Sequence, residues 1–298
     1  MISIIIPTFK NKDLLIKNLR HNLRFFDGCE IIVVNDDPNQ SLKNDLSEFK
    51  NIKLIENKRN LGFGGTVNFG VKEAMGNYVF LLNNDVLLKN NNFKQTIKLF
   101  EDNPKLFVVT FAQKEKNGEI VGRNKIFWSR GLLIHKKNNQ IKSGINAWGE
   151  GGCSVFDKQK FFELGGFDEL YSPFYWEDID LSYRAWKAGY QVYFSSEVIV
   201  DHQHQSTIGK YFQENSIKKI AYRNQFIFMF KNITDRNLYL EFLIFLIPNI
   251  IFLLIKGEYV SIQALIEALA KLAMIKDIKN RQKKQNRLTD SQILNFFK

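Results

Sequence analysis

Cysteine is scarce in this sequence: Cys29 and Cys153 are the only two among 298 residues. They stand far apart and form no C-x-x-C, which argues against a disulfide framework or a zinc site and fits a reducing compartment. No secretory leader is expected either. The opening MISIIIPTFK has too short an apolar run and no cleavage site after it, so it reads as a strand. Acid is outnumbered, with 31 Asp and Glu against 42 Lys and Arg, for a net charge of +11. That excess favours anionic partners: nucleotide phosphates, nucleic acid or an anionic membrane surface. Glycine nearly vanishes after about residue 207, and no internal repeat is visible. The loop GFGGTV lacks a complete phosphate signature. Val67 stands where G-x-G-x-x-G needs its third glycine, and no Gly-Lys-Ser/Thr follows.

What is present suffices for a large core. Hydrophobic residues make up 45% and aromatic residues 14% of the chain, enough for one large domain or a domain with an appendage. SIIIPTF reads as a buried strand stopped by Pro7. DLLIKNLRHNLRFF places Leu14, Leu15, Leu19, Leu23 and Phe26 on one helical face. CEIIVVNDD, NIKLIE and YVFLLNNDV read as further strands, with a glycine loop running into a helix at NLGFGGTVNFGVKEAMG. Uniformly apolar strands alternating with helices predict a parallel sheet covered on both faces. Ligands then bind beyond the carboxyl ends of the strands, so Asp36, Asp37 and Asp85 are expected in one crevice. Residues 90–149 carry few signals. Beyond them, a strand and helix lead to Gly165-Gly166, DIDLSYRAWKAG forms a helix closed by Gly189, and YQVYFSSEVIVDHQHQS reads as a strand pair.

Chemistry concentrates at four places. The glycine loop offers a backbone able to approach phosphate, or simply a tight turn. In LLNNDV a strand would alternate its side chains, with Asn83 and Asp85 on one side and Asn84 on the other; Asn-x-Asp there suits a hard divalent cation, or a turn. His202 and His204 stand at alternating positions and face one way, as metal ligands or as solvated loop residues. In YWEDID, Glu177 and Asp180 share a helical face while Asp178 looks elsewhere. Asp180 stands four before Arg184, an ion-pair spacing. Asp178 is expected to stay ionised beside the helix N-terminus, either as a general base or as a cap.

In this order the motifs SIIIPTF, IIVVNDDPNQS, NLGFGGTVNFGV, LLNNDV, GGCSVFDKQKFFELGGFDELYSPFYWEDIDLSYRAWKAGY and DHQHQST resemble the family 2 glycosyltransferases. These are inverting enzymes of the GT-A fold, a Rossmann-like α/β sheet, and the likeness is closest to their rhamnosyltransferase-like branch. RNQFIFMFKN resembles the segment that follows the catalytic domain in that branch. The resemblance implies a nucleoside-diphosphate sugar donor, UDP- or dTDP-linked, and a glycan or lipid-linked acceptor. It implies that Thr8, Asn35 and Asp36 line the nucleoside pocket, that Asn60, Gly64 and Asn68 belong to a loop and helix closing over the donor, and that Asn83 and Asp85 match a metal-binding D-x-D. Asn83 departs from that pattern by replacing the first acid. Asp85 and His202 would hold Mg²⁺ or Mn²⁺, with His204 the competing ligand. Asp178 would be the base, with Trp176 and Glu177 on the acceptor side and the neighbouring aromatics as an acceptor platform. A nucleotidyltransferase would need a basic glycine loop after the first strand, where PTFK stands instead. A non-catalytic sugar-binding relative would be expected to lose Asp85 or Asp178. Nothing beyond charge suggests nucleic acid.

The change near residue 207 predicts a boundary. Residues 1–207 form the catalytic domain, with nucleotide binding over about 1–110 and the acceptor side over about 145–207. Residues 208–298 form a helical region. Within it, LYLEFLIFLIPNIIFLLIKG has the length of a membrane span. Glu241, Pro248 and Asn249 interrupt it, and burying Glu241 in a span would cost a few kcal/mol. An interfacial helix at the inner face of the cytoplasmic membrane is therefore expected, helped by the basic run KDIKNRQKKQNR. The alternative is a helical appendage packed on the catalytic domain or on a second subunit.

Overall fold

The computed structural model describes residues 1–202 and 207–298, so His204 lies outside the described residues. The chain runs β1 (Ile2–Thr8), α1 (Lys12–Asn22), β2 (Glu30–Asn35), β3 (Ile52–Glu56), α2 (Gly62–Glu73), β4 (Tyr78–Leu82), β5 (Val86–Leu88), α3 (Thr96–Asp102) and β6 (Leu106–Lys114). It continues through β7 (Ile120–Val121), β8 (Asn124–Ser129), β9 (Leu132–Lys137), β10 (Gly144–Ile145), β11 (Cys153–Asp157), α4 (Lys158–Glu163), α5 (Glu177–Lys187) and β12 (Gln191–His202). Helices α6 (Thr207–Tyr211), α7 (Glu214–Asn232), α8 (Arg236–Ile255), α9 (Val260–Leu269), α10 (Leu272–Gln282) and α11 (Asp290–Asn295) complete it.

One sheet carries the site, in the order β10-β12-β6-β11-β4-β1-β2-β3. β3, β2, β1 and β4 are mutually parallel, as are β6 and β12. β11 runs antiparallel to both β4 and β6, so the long strands on either side of it point the same way. This is the expected α/β sheet, parallel in its long strands and mixed at β11 and the short strands. The apolar runs explain it: Ile4, Ile5, Ile32, Val33, Phe80 and Leu81 are fully buried, because α2 covers one face, over Ile5, Ile32 and Leu81, and α1 and α3 cover the other, over Ile4, Val33 and Phe80.

Three local expectations change. β1 passes through Pro7 to Thr8. The missing N–H is tolerated because pairing with β4 has already ended at Ile5. β4 stops at Leu82, so Asn83–Asp85 form a turn rather than an alternating strand end. Residues 191–202 are one strand, not a pair, bent by a register shift between Ser195 and Ile199.

The change of character near residue 207 marks a change of element type and not a break in the core. Phe226, Ile227, Phe228, Met229, Ile293 and Leu294 belong to the same buried cluster as Val79, Phe156 and Trp186. Asp180, fully buried, receives Lys231 Nζ at 2.8 Å and Arg184 Nε at 2.8 Å. Burial alone would raise the Asp180 carboxyl, but the Lys231 and Arg184 charges overrule it and hold it well below the carboxylate range.

Candidate active site

The carboxyl ends of β1, β2 and β4, the turn before β11 and the start of α5 surround a cleft of about 770 Å³. Thr8, Asp36, Asp37, Asn60, Asn83, Asp85, Glu177, Asp178 and His202 all line it. Its apolar walls come from Phe9, Phe63, Phe174, Tyr175 and Phe212.

Asp36 follows β2 directly. Its Oδ1 accepts from Asn57 Nδ2 and from Leu61 N–H, each at 2.8 Å, and its Oδ2 accepts from Gly62 N–H at 3.0 Å. Burial raises this carboxyl, and those bonds pull back against it. Asp36 therefore holds the glycine loop against the sheet end as well as facing the cleft. Gly62 needs its freedom: its φ is +72°, and a Cβ would lie 2.6 Å from Ser172 Oγ. Asn60 supports the same turn, donating to Asp36 C=O at 3.3 Å and accepting from Gly62 N–H at 3.0 Å. Thr8 Oγ1 accepts from Asn84 Nδ2 at 2.8 Å, tying β1 to the turn after β4.

Three expected donor residues do not reach the cleft. Asn35 turns its amide to its own loop, donating to Gln40 C=O and accepting from Asp37 N–H at 3.1 Å. Asn68 donates to Phe167 C=O at 2.8 Å and accepts from Phe167 N–H at 2.9 Å. Gly64 gives that same segment room, since a Cβ would lie 3.2 Å from Phe167 Cβ. Both belong to the rear of α2, whose helical period turns them away from the loop side.

Asp85 and His202 come together across the β5–β12 pairing. Asp85 Oδ1 is buried, makes no hydrogen bond among the described residues, and lies 3.4 Å from His202 Nε2. Burial draws the imidazole down, but Asp85 outweighs it and leaves His202 above its ordinary value. A buried carboxylate oxygen without a donor, beside an imidazole, fits a divalent cation whose remaining positions are filled from outside the protein. No group of three such side chains gathers among the described residues. Asn83 lines the same wall, its N–H donating to Gly152 C=O at 2.8 Å.

The opposite wall is the first turn of α5. Asp178 Oδ1 accepts from Ile179 N–H at 2.8 Å, and Oδ2 faces Gly151 N–H at 3.4 Å. Despite the helix end, burial and then the Glu150 charge push this carboxyl up to about 6. Desolvation outweighs the dipole, which leaves the carboxyl mostly ionised at pH 7 but more basic than an ordinary one. Glu177 is buried, with Oε2 lacking a partner among the described residues. Burial and then Asp178 drive it well above the carboxylate range. Of the two, Glu177 keeps its proton more readily, and Asp178 is the one that exchanges it near neutrality.

Trp176 is not an exposed platform. Its ring is buried, 5.0 Å from His135 and 5.1 Å from Phe228. Tyr175 and Trp176 have φ of +72° and +76°. That sharp turn sends Tyr175 to the cleft and Trp176 to the core. Asn224 of α7 clamps the turn, donating to the carbonyls of Tyr171, Phe174 and Tyr175 at 2.7, 2.9 and 2.8 Å. Sequence reasoning missed Asn224, Asn57 and Glu150. Glu150 was hidden in a glycine turn, where a lone acid was its only signal. Its Oε1 accepts from Asn124 at 2.9 Å and its Oε2 from Gln113.

The sequence pattern described as glycosyl transferase family 2 matches residues 3–165, more than half of the chain. The chain belongs to this family. Among curated family relatives, poly-beta-1,6-N-acetyl-D-glucosamine synthase of Staphylococcus epidermidis is 26% identical over 167 residues, covering 55% of this chain and 40% of the relative. The same synthase of Staphylococcus aureus strain COL is 25% identical over 171 residues, covering 56% and 41%. The chain thus spans about two fifths of the length of these relatives. Solved structures share the GT-A fold. GalNAc-T7 with UDP, GalNAc and Mn²⁺ aligns with TM-score 0.60 at 14% identity, covering 79% of this chain and 48% of that one. S. aureus TarS 1-349 with UDP-GlcNAc gives 0.54 at 17%, covering 81% and 71%. The mannosyltransferase PcManGT of Pyrobaculum calidifontis with GDP-Man and Mn²⁺ gives 0.53 at 14%, covering 93% and 75%.

Proposed function

We propose that this glycosyltransferase moves a hexosyl or deoxyhexosyl group, with inversion, from a UDP- or dTDP-linked donor to a hydroxyl of a glycan or lipid-linked saccharide. The observation that carries the reading is Asp178, a half-buried carboxylate at the cleft whose pKa is pushed up to about 6. A base of that strength is mostly ionised at pH 7, yet more basic than an ordinary carboxylate. The relatives' polysaccharide products and the nucleotide sugars in neighbouring structures support the substrate class. The order of sequence motifs supports the rhamnosyltransferase-like branch.

The division of labour follows from the walls. Asp36, Asn60 and Gly62 shape the sheet end where a nucleoside would sit, between Thr8 and Phe63. The turn at Asn83–Asp85 faces the diphosphate. Asp85 and His202 would hold Mg²⁺ or Mn²⁺, which when bound offsets charge on a departing nucleoside diphosphate. Asp178 takes the proton of the acceptor hydroxyl as its oxygen attacks the anomeric carbon from the face opposite the leaving group. Glu177, keeping its proton, does not compete as a base. Phe174, Tyr175 and Phe212 offer apolar faces on which a sugar ring can lie.

Asp178→Asn is the test. Transfer should fall by about 10²–10⁴-fold while donor binding persists. Glu177→Gln, which resembles the protonated acid, should stay within a few-fold of wild type. Asp178→Asn should also be more stable at pH 7. A carboxyl with a raised folded pKa binds its proton more tightly when folded, so its stability contribution is lost as pH rises through about 6. The gain is bounded at about 3 kcal/mol. A variant that keeps wild-type transfer, measured by nucleotide release, would remove Asp178 from the mechanism.

A further inference from the structure

Helix α8 is apolar almost all round, and the two polar side chains in its middle, Glu241 and Asn249, are already occupied. Glu241 accepts from Trp128 Nε1 at 2.9 Å and from Gly131 N–H at 3.0 Å. Asn249 Nδ2 donates to Arg130 C=O at 3.0 Å. These are groups of the β8–β9 hairpin. Its turn sits close against α8: a Cβ on Gly131 would lie 2.7 Å from Glu241 C=O. Glu241 and Asn249, two of the three residues that interrupt the apolar run in the sequence, thus face protein, while Pro248 is exposed.

The outward side is different. Ile244, Ile247, Ile251 and Ile255 recur every three or four residues and are 70, 59, 51 and 80% exposed. Helix α9 extends the surface with Ile262 and Ile266, and Tyr259 stands between the two helices, 71% exposed. A patch of this kind marks an interaction surface.

Charge identifies its partner. The acids of residues 236–269 are Glu241, Glu258 and Glu267. Each is drawn inward: Glu241 to the hairpin, Glu258 to Lys218 at 3.0 Å and Glu267 to Lys219 at 2.8 Å. Cations remain at the edge. Arg130 and Lys256 both lie over the Phe252 ring, at 5.6 and 4.4 Å, and both are exposed. A second copy of a chain carrying +11 would press like charges together. An anionic bilayer meets both features, apolar depth and surface charge.

We propose that the α8–α9 face seats the enzyme on an anionic lipid bilayer, with α8 lying in the plane of the interface rather than crossing it. A crossing would have to pull Glu241 and Asn249 away from the hairpin into hydrocarbon. In-plane seating leaves every one of those bonds intact. The face that suits this charge is the cytoplasmic leaflet.

The test is flotation of the full-length chain with vesicles of phosphatidylcholine alone or with a third phosphatidylglycerol, at low and high salt. Truncation would not serve, because Ile293 and Leu294 lie in the core. Wild type should float with the anionic vesicles and much less with the neutral ones. Lys256→Glu should weaken binding more than about fivefold, the worth of one such cation. Ile244→Glu with Ile247→Glu should abolish binding at any salt, with the melting temperature unchanged because both side chains are exposed. Equal flotation with neutral vesicles would overturn the charge argument. Failure to float, with a dimer in sedimentation velocity that the Ile244→Glu, Ile247→Glu pair dissociates, would assign the face to a second copy. Protease cleavage of α10 only from the far side of sealed vesicles would make α8 a span.

Discussion

Asp178 and Glu177 are adjacent in sequence, and burial raises both carboxyls, Glu177 further than Asp178. Both are carboxylic acids on the first turn of one helix. Asp178 has two backbone N–H groups facing it, while Glu177 Oε2 has no partner among the described residues. With Asp178 as the proposed base, the acid limb of kcat/KM should turn near pH 6. Glu150→Gln removes a neighbouring negative charge and should shift that limb toward lower pH. A limb that stays in place would mean burial alone sets it. Metal dependence is also decided at this scale. Excess EDTA should abolish transfer, Mn²⁺ or Mg²⁺ should restore it, and Asp85→Asn should raise the cation concentration needed by tenfold or more. Full activity in EDTA would separate the Asp85–His202 pair from catalysis. The sequence singled out Asp85, Asp178 and His202, all of which line the cleft, because each lies in or next to a strongly patterned element. It did not reveal Glu150, whose relevance depends on an approach to α5 from 27 residues away, seen in the Gly151–Asp178 contact.

At the scale of elements, local pattern was legible where an element is buried on its own. β1, β2 and β4 are continuous apolar runs, and α5 ends at Lys187, with Gly189 in the left-handed region just beyond, as its spacing predicts. The β8–β9 hairpin was not legible, since NKIFWSRGLLIHKK alternates weakly and takes its place only by meeting α8. The partner of Glu241 in α8 was not legible for the same reason, since it lies 110 residues earlier. Helix α7 makes a stronger case. It is a C-terminal element in sequence, yet Asn224 holds the cleft wall at Tyr171–Tyr175. Asn224→Ala leaves three carbonyls without that donor and should cost about 1–3 kcal/mol. Because Tyr175 and Trp176 keep positive φ only under such restraint, acceptor KM should rise more than donor KM. Equal effects on both would point to general loosening.

For the whole molecule, the unit of folding is longer than the unit of chemistry. Lys231 is fully buried and bridges Asp168 at 2.6 Å and Asp180 at 2.8 Å. Asp290, near the C-terminus, is also fully buried and takes Lys187 Nζ at 2.7 Å and Tyr183 OH at 2.6 Å. Lys231→Met would leave two acids without their shared cation and should cost about 3–5 kcal/mol, read by urea denaturation. A loss below 1 kcal/mol would show that water reaches the cluster. The family pattern ends at residue 165, so neither clamp lies wholly within it.

The Asp180–Lys231 pair also constrains how such a sequence can change over generations. Losing either charge alone is expensive, and exchanging just these two for apolar residues would strand Arg184 and Asp168, so a near-neutral replacement has to take in all four. The four positions should then drift together or not at all. Chimeras that graft the C-terminal helices of one relative onto the sheet of another should express only when residues 168, 180 and 231 come from the same parent, wherever the crossover is drawn.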